Sequence, residues 1–264
     1  MAVMRRLGRR ESAYLAEEDA TQLWVLIRSE TRFNRRLAKR RDTGEEYNHR
    51  LLYLMAAAVF RTTQRLVPQR RWRRLLDTVE AYADGEATFV QLFNDFEAAG
   101  VNDSKLPAAN AAAAHCIHML PDDYKVLEGV DFVSDATGYL GAIAAGVLKP
   151  ETPLGMKMAV WKEPAFQNAK RKHERKLCAL IRDIFGNPYR PPPAIDPAWL
   201  AWNDGTIPNM ARTMYARKRF RDLPILGDAL EEAGCADEAL LAHCRGKGPH
   251  VRGCWVVDLL LGKE

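Results

Sequence analysis

Five side chains able to act as metal ligands fall within about twenty residues near the C-terminus: Cys235, His243, Cys244, His250 and Cys254. Thiolate sulfur and imidazole nitrogen are the donors that zinc prefers, and Cys235, His243 or Cys244, His250 and Cys254 could supply four of them. The gaps between them are long, however, and no Cys-x-x-Cys knuckle is present. The competing reading is a set of small buried thiols and hydrogen-bonded imidazoles. The spacing favours that second reading, so the sequence assigns no metal and no cofactor. A second constellation overlaps the first. Arg245, Lys247, His250 and Arg252 surround a Gly-Lys-Gly-Pro turn, where cations and backbone donors could hold an anion or touch a partner. A carboxylate from Asp237 or Glu238 could equally take that place. A third, His115, Cys116 and His118, has two imidazoles at i and i+3 on one helix face. It lacks further ligands nearby, and hydrogen-bonded histidines are the commoner outcome.

Motifs for other chemistry are absent. There is no Gly-x-Ser-x-Gly elbow, no His-Glu-x-x-His and no glycine-rich phosphate loop. No nucleophile has an evident base beside it, so no catalytic residue is assigned and the reading leans away from an enzyme.

These residues must be positioned by helices. The chain has 264 residues, 47% of them hydrophobic and 28% charged, enough for a sizeable core. The longest apolar runs, Leu51–Phe60 and Tyr139–Leu148, fall well short of the roughly 20 residues a bilayer span needs. The basic start MAVMRRLGRRE is not followed by an apolar stretch, so a secretory signal is not expected. Five scattered cysteines in a chain this long read as reduced thiols in a cytoplasm. The net charge of +5 hides a pattern: residues 1–80 and 152–190 are basic, and residues 81–151 are acidic. Two readings compete: neutralisation of basic helices by acidic ones, and convergence of the basic helices on one face for nucleic acid.

Periodicity predicts helices throughout. Residues 1–18 show none. Asp19 with Gln22 outlines a capping box before a helix carrying Leu23, Trp24 and Ile27 inward. A buried helix follows over about 45–67, apolar nearly all round from Leu51 to Phe60. The next, over 69–83, puts Trp72, Leu75, Leu76 and Val79 on one side and four arginines in its first turn, against the macrodipole. Residues 87–99 place Phe89, Leu92, Phe93 and Phe96 at inward spacing. Helices are also expected over 106–120 and 132–147, and a long one over 155–185 kinked at Pro164. Pro191, Pro192, Pro193 and Pro197 then form a stiff connector. It divides the chain into a helical region, 1–187, and a C-terminal module, 188–264. In the module, Gly205-Thr206, Leu223–Ala233, Asp237–Cys244 and Val251–Leu261 mark short helices. The fold class is all-α: a multi-helix N-terminal bundle followed by a small helical module.

The runs Leu180–Pro191, DPAWL from Asp196, LPIL from Leu223, ALEEAGC from Ala229, LAHCR from Leu241 and GPHVRGCWVVD from Gly248 resemble a family of helical proteins that occurs as many paralogues in planctomycete genomes. The likeness covers roughly the last third, with fainter traces at Leu51–Arg61 and Tyr82–Thr88. The family usually carries a cysteine-rich helix at the first of these traces, where this chain reads LLYLMAAAVFR. The resemblance implies a helical fold and brings no activity with it. LGDALEEAGC also resembles the helix of a short companion domain found beside repeat arrays in the same lineage, which implies protein interaction. The resulting expectation is an intracellular helical adaptor or scaffold with a protein partner and no membrane contact. The alternatives are a nucleic-acid-binding protein using the basic helices at 28–41, 70–74 and 170–176, and a metal-binding protein.

Overall fold

The computed structural model describes residues 8–28, 50–66, 69–100, 142–143, 145–147, 149 and 162–263. The fold is all-α, and no strand occurs among the described residues. None of their helices is long and apolar enough to cross a membrane. The chain forms two compact units, Met1–Cys178 and Ala179–Glu264. The division falls inside the long helix, ahead of the proline-rich connector. The helix's last turns therefore group with the C-terminal unit.

In the N-terminal unit, α1 (Arg9–Ala16) precedes α2 (Ala20–Arg28). No periodicity announces α1. It is anchored by a single aromatic side chain, Tyr14, which is 1% exposed. Asp19 caps α2 as expected, its Oδ1 accepting the Gln22 N–H at 2.9 Å. Helix α3 (Arg50–Thr63) runs into a 3₁₀ turn, Gln64–Leu66, and every residue from Leu51 to Phe60 is buried. Helix α4 (Arg70–Ala83) packs on α3 with Trp72 stacked on Phe60 at 5.6 Å and Tyr82 edge-on to Tyr53 at 5.1 Å. Arg61 is held between Asp77 and Glu80, which ties the same seam.

Helix α5 (Phe89–Ala99) starts with a capping box: Thr88 accepts from the Gln91 N–H, and the Gln91 side chain accepts from the Thr88 N–H. The inward face differs from the predicted one. Leu92, Asp95, Phe96 and Ala99 are buried, whereas Phe89 and Phe93 are each 51% exposed. Asp95 accounts for the rotation. It accepts a hydrogen bond from Thr78 at 2.6 Å and pairs with Arg74 at 2.7 Å, so the helix turns its acid toward α4.

Helix α6 (Pro164–Phe185) begins on proline, which suits a first-turn position because its missing N–H has no partner there anyway. In the C-terminal unit, Asp196 caps α7 (Pro197–Arg217) through the Ala198 N–H. Helix α7 is really two helices. Asn203, Asp204 and Gly205 all lie in the left-handed region between them. A 3₁₀ turn, Phe220–Asp222, leads into α8 (Leu223–Glu232). Asp237 then caps α9 (Glu238–Arg245), and α10 (Trp255–Leu261) closes the unit.

The core of this unit is built from Ile207, Leu226, Leu230, Leu240, Val256 and Leu260, among others. Helices α8 and α9 approach so closely that a Cβ on Gly227 would stand 2.8 Å from Cβ of Cys244. The last helix starts at Trp255, four residues later than periodicity predicts. Gly253 adopts φ +95°, and the Val251 N–H is directed to a carboxylate rather than into a helix. Of the four residues removed from the helix, Val251 gives its N–H to Asp183 and Cys254 brings its sulfur beside His243.

Candidate metal centre

The centre grows from two places in the C-terminal unit. The first is the last turn of α6, which carries Asp183 within the apolar run Ile181, Ile184 and Phe185. Helical spacing turns Asp183 inward with them, and it is 2% exposed. The second is the segment from α9 to the start of α10. It presents His243 from the helix, His250 from the loop, and Cys254 at the N-cap of α10. One donor atom from each of Asp183, His243, His250 and Cys254 lies within 4.8 Å of the others.

A buried carboxylate must be satisfied, and Asp183 is. Its Oδ2 accepts the Val251 N–H at 2.9 Å. Its Oδ1 meets His250 Nδ1 at 2.7 Å and His243 Nε2 at 3.1 Å. Burial pushes its pKa up, but hydrogen bonds from His243 and His250, with the charge of His250, outweigh that and hold it below the ordinary carboxylate value. Burial pulls the His250 pKa down. Its bond to Asp183 and that carboxylate's charge, helped by the Gly246 carbonyl, outweigh this and leave the imidazole above its ordinary value. Both ring nitrogens thus face acceptors: Nδ1 faces Asp183, and Nε2 faces the Gly246 oxygen at 3.2 Å.

Cys254 is fully enclosed. Burial first, and the Asp183 charge second, raise its thiol well above the usual value, while the backbone N–H groups of Val256 and Val257 act the other way. Its sulfur stands 3.2 Å from His243 Nε2. The other nitrogen of His243, Nδ1, accepts the indole N–H of Trp255 at 3.0 Å. Trp255 is held in turn by Gly186, whose φ of +62° leaves the indole lying where a Cβ would come within 3.3 Å of its Cγ.

The donor set is one carboxylate oxygen, two imidazole nitrogens and one sulfur. That mixture suits a transition metal such as zinc, and not magnesium or calcium, which select oxygen. Of the sequence-derived ligands, the structure brings His243, His250 and Cys254 together. Cys235 and Cys244 stand outside the cluster as buried thiols. Burial, with the nearby Cys235, pushes Cys244 up to about 12. Asp183 takes the fourth place. Its sequence signal was an acid set inside an apolar helical run, which reads at first as a solvated position.

The expected anion or partner site is divided among separate contacts. Arg245 pairs with Asp228 at 3.1 Å and with Glu231, both from α8 and neither of them the acids anticipated. His250 belongs to the Asp183 cluster. Arg252 stacks over the Tyr215 ring at 4.7 Å, and Lys247 is exposed. Within the basic segments, Arg74 pairs with Asp95, Lys170 with Glu174, and Arg175 with Glu18. His115, Cys116, His118 and all but the first residue of 28–41 lie outside the described residues. No family model matches the chain, and neither does any curated protein or any solved structure.

Proposed function

We propose that residues 179–264 form a metal-binding helical module, with a zinc-type divalent ion held by the cluster around Asp183. The observation that carries this reading is the convergence of oxygen, nitrogen and sulfur donors from two distant stretches of chain within 4.8 Å. The surrounding groups suit coordination. A ligand imidazole normally donates its second N–H to a carbonyl or carboxylate, and His250 Nε2 points at the Gly246 oxygen. Asp183 has its second oxygen occupied by the Val251 N–H. Cys254 carries its sulfur at the N-cap of α10, fully enclosed in the module.

Binding one ion here displaces the proton on His250 Nδ1 and the proton on the Cys254 thiol, because the lone pairs that coordinate are the ones those protons occupy. The ion would fasten the end of α6 to the loop before α10, and so add its binding energy to the stability of the module. Zinc titration of chelator-treated full-length chain, in competition with a chromophoric chelator, tests this. One site per chain, lost in Cys254→Ala and in His250→Ala, is the expected result. Absence of binding by the wild-type chain removes the reading.

A further inference from the structure

The hydrogen bond from Trp255 decides which of the four donors can reach an ion. An indole nitrogen can only donate. Its N–H lies 3.0 Å from His243 Nδ1, so Nδ1 is an acceptor and the ring proton sits on Nε2. That N–H is directed at the two atoms that flank it, Asp183 Oδ1 at 3.1 Å and Cys254 Sγ at 3.2 Å. A nitrogen carrying a proton has no lone pair for a metal. Moving the proton to Nδ1 would set two N–H groups against each other at 3.0 Å. Gly186 packs against one side of the indole, at its Cβ and ring.

The other three donors face no such conflict. His250 offers Nδ1 while Nε2–H is absorbed by the Gly246 carbonyl, Asp183 offers Oδ1, and Cys254 offers its sulfur. His243 is also the more exposed imidazole, at 17% against 9% for His250. Resting on the metal-binding reading above, we infer that the ion takes three protein ligands, Asp183, His250 and Cys254, and keeps a fourth position open. His243 stands beside that position and offers its Nε2–H to whatever occupies it. The ligand class is water or a small anion that can bind the ion and accept this hydrogen bond. Three protein ligands and an exchangeable fourth is the arrangement zinc proteins use where the ion meets a substrate, whereas purely structural sites are closed by four.

The test uses cobalt(II) as the probe in the full-length chain, with azide as the exogenous anion and visible absorption as the readout. Wild type and His243→Ala should each bind one cobalt, whereas His250→Ala should not. Azide should shift the visible bands of wild type and bind at least several-fold more weakly to His243→Ala. A measurement without variants runs beside it: nitrogen-15 NMR of histidine-labelled, zinc-loaded wild type should find the His243 proton on Nε2. Loss of cobalt from His243→Ala to the same extent as from His250→Ala would overturn the inference. So would a wild-type spectrum indifferent to azide, or a zinc-bound His243 with its proton on Nδ1. A wild-type chain that binds no cobalt fails earlier, at the metal reading itself.

Discussion

Replacing Asp183 by asparagine keeps the shape of the side chain and removes its charge. In the structure this carboxylate is 2% exposed and meets His250, His243 and the Val251 N–H at 2.7, 3.1 and 2.9 Å. Asparagine can still accept from Val251, but its amide then presents N–H groups to an imidazole N–H. Removing one partner from a buried ionic contact costs about 3–5 kcal/mol, because the remaining charge is left enclosed without its counter-ion. We expect Asp183→Asn to lose about that much unfolding free energy in the chelator-treated full chain, measured by urea denaturation with tryptophan fluorescence. Asp228→Asn provides the contrast. Asp228 is 66% exposed in its pair with Arg245, which also bonds Glu231. Exposed pairs contribute about 0–1 kcal/mol, so this variant should lie near wild type. A loss below about 1 kcal/mol for Asp183→Asn, similar to that for Asp228→Asn, would refute the claim that the buried carboxylate organises the module.

The metal-free chain should also show a two-sided pH dependence. His250 is raised on folding, so its contribution is complete below its unfolded pKa and is lost as pH rises through the folded value. Asp183 is depressed, so its contribution is present above its unfolded pKa and is lost as pH falls through the folded value. Melting temperature should therefore peak between about pH 4 and about pH 6.5, and His250→Gln should remove the decline on the alkaline side. Zinc affinity should fall with acid, about tenfold per pH unit where only the Cys254 proton is displaced and about a hundredfold below the His250 pKa, as read by competition titration at several pH values. Gly227→Ala should destabilise by about 1–2 kcal/mol in urea, because the new methyl meets Cys244 at 2.8 Å and overpacking outweighs alanine's better helix propensity. Thr88→Ala should cost about 1 kcal/mol in the same assay, through loss of the α5 cap.

The helices were legible where one face of the pattern decided their fate. The run Leu51–Phe60 is apolar all round and is buried all round. Trp72, Leu75, Leu76 and Val79 repeat at helical spacing and are all 0% exposed. Legibility failed where a polar contact overrode the apolar count. Four candidate inward residues on α5 predicted one face. Asp95, answering Thr78 and Arg74 from another helix, selected a different one. The same physics hid the centre. His243, His250 and Cys254 were visible as ligand types, but their partner Asp183 is about 60 residues away along the chain. Only packing of α6 against the loop before α10 brings it there. Nor could spacing show that Val251–Cys254 leaves the helix, since that depends on the Val251 N–H finding the Asp183 carboxylate. The tautomer of His243 is a property of three-dimensional placement alone, set by an indole twelve residues further on.

X-ray absorption at the zinc edge of the loaded full-length chain tests the central claim most directly. The account predicts one sulfur scatterer at about 2.3 Å and a remaining shell of nitrogen and oxygen at about 2.0–2.2 Å, with the sulfur lost in Cys254→Ser. A shell with no sulfur, a shell with two or more, or a chain that retains no zinc would contradict it.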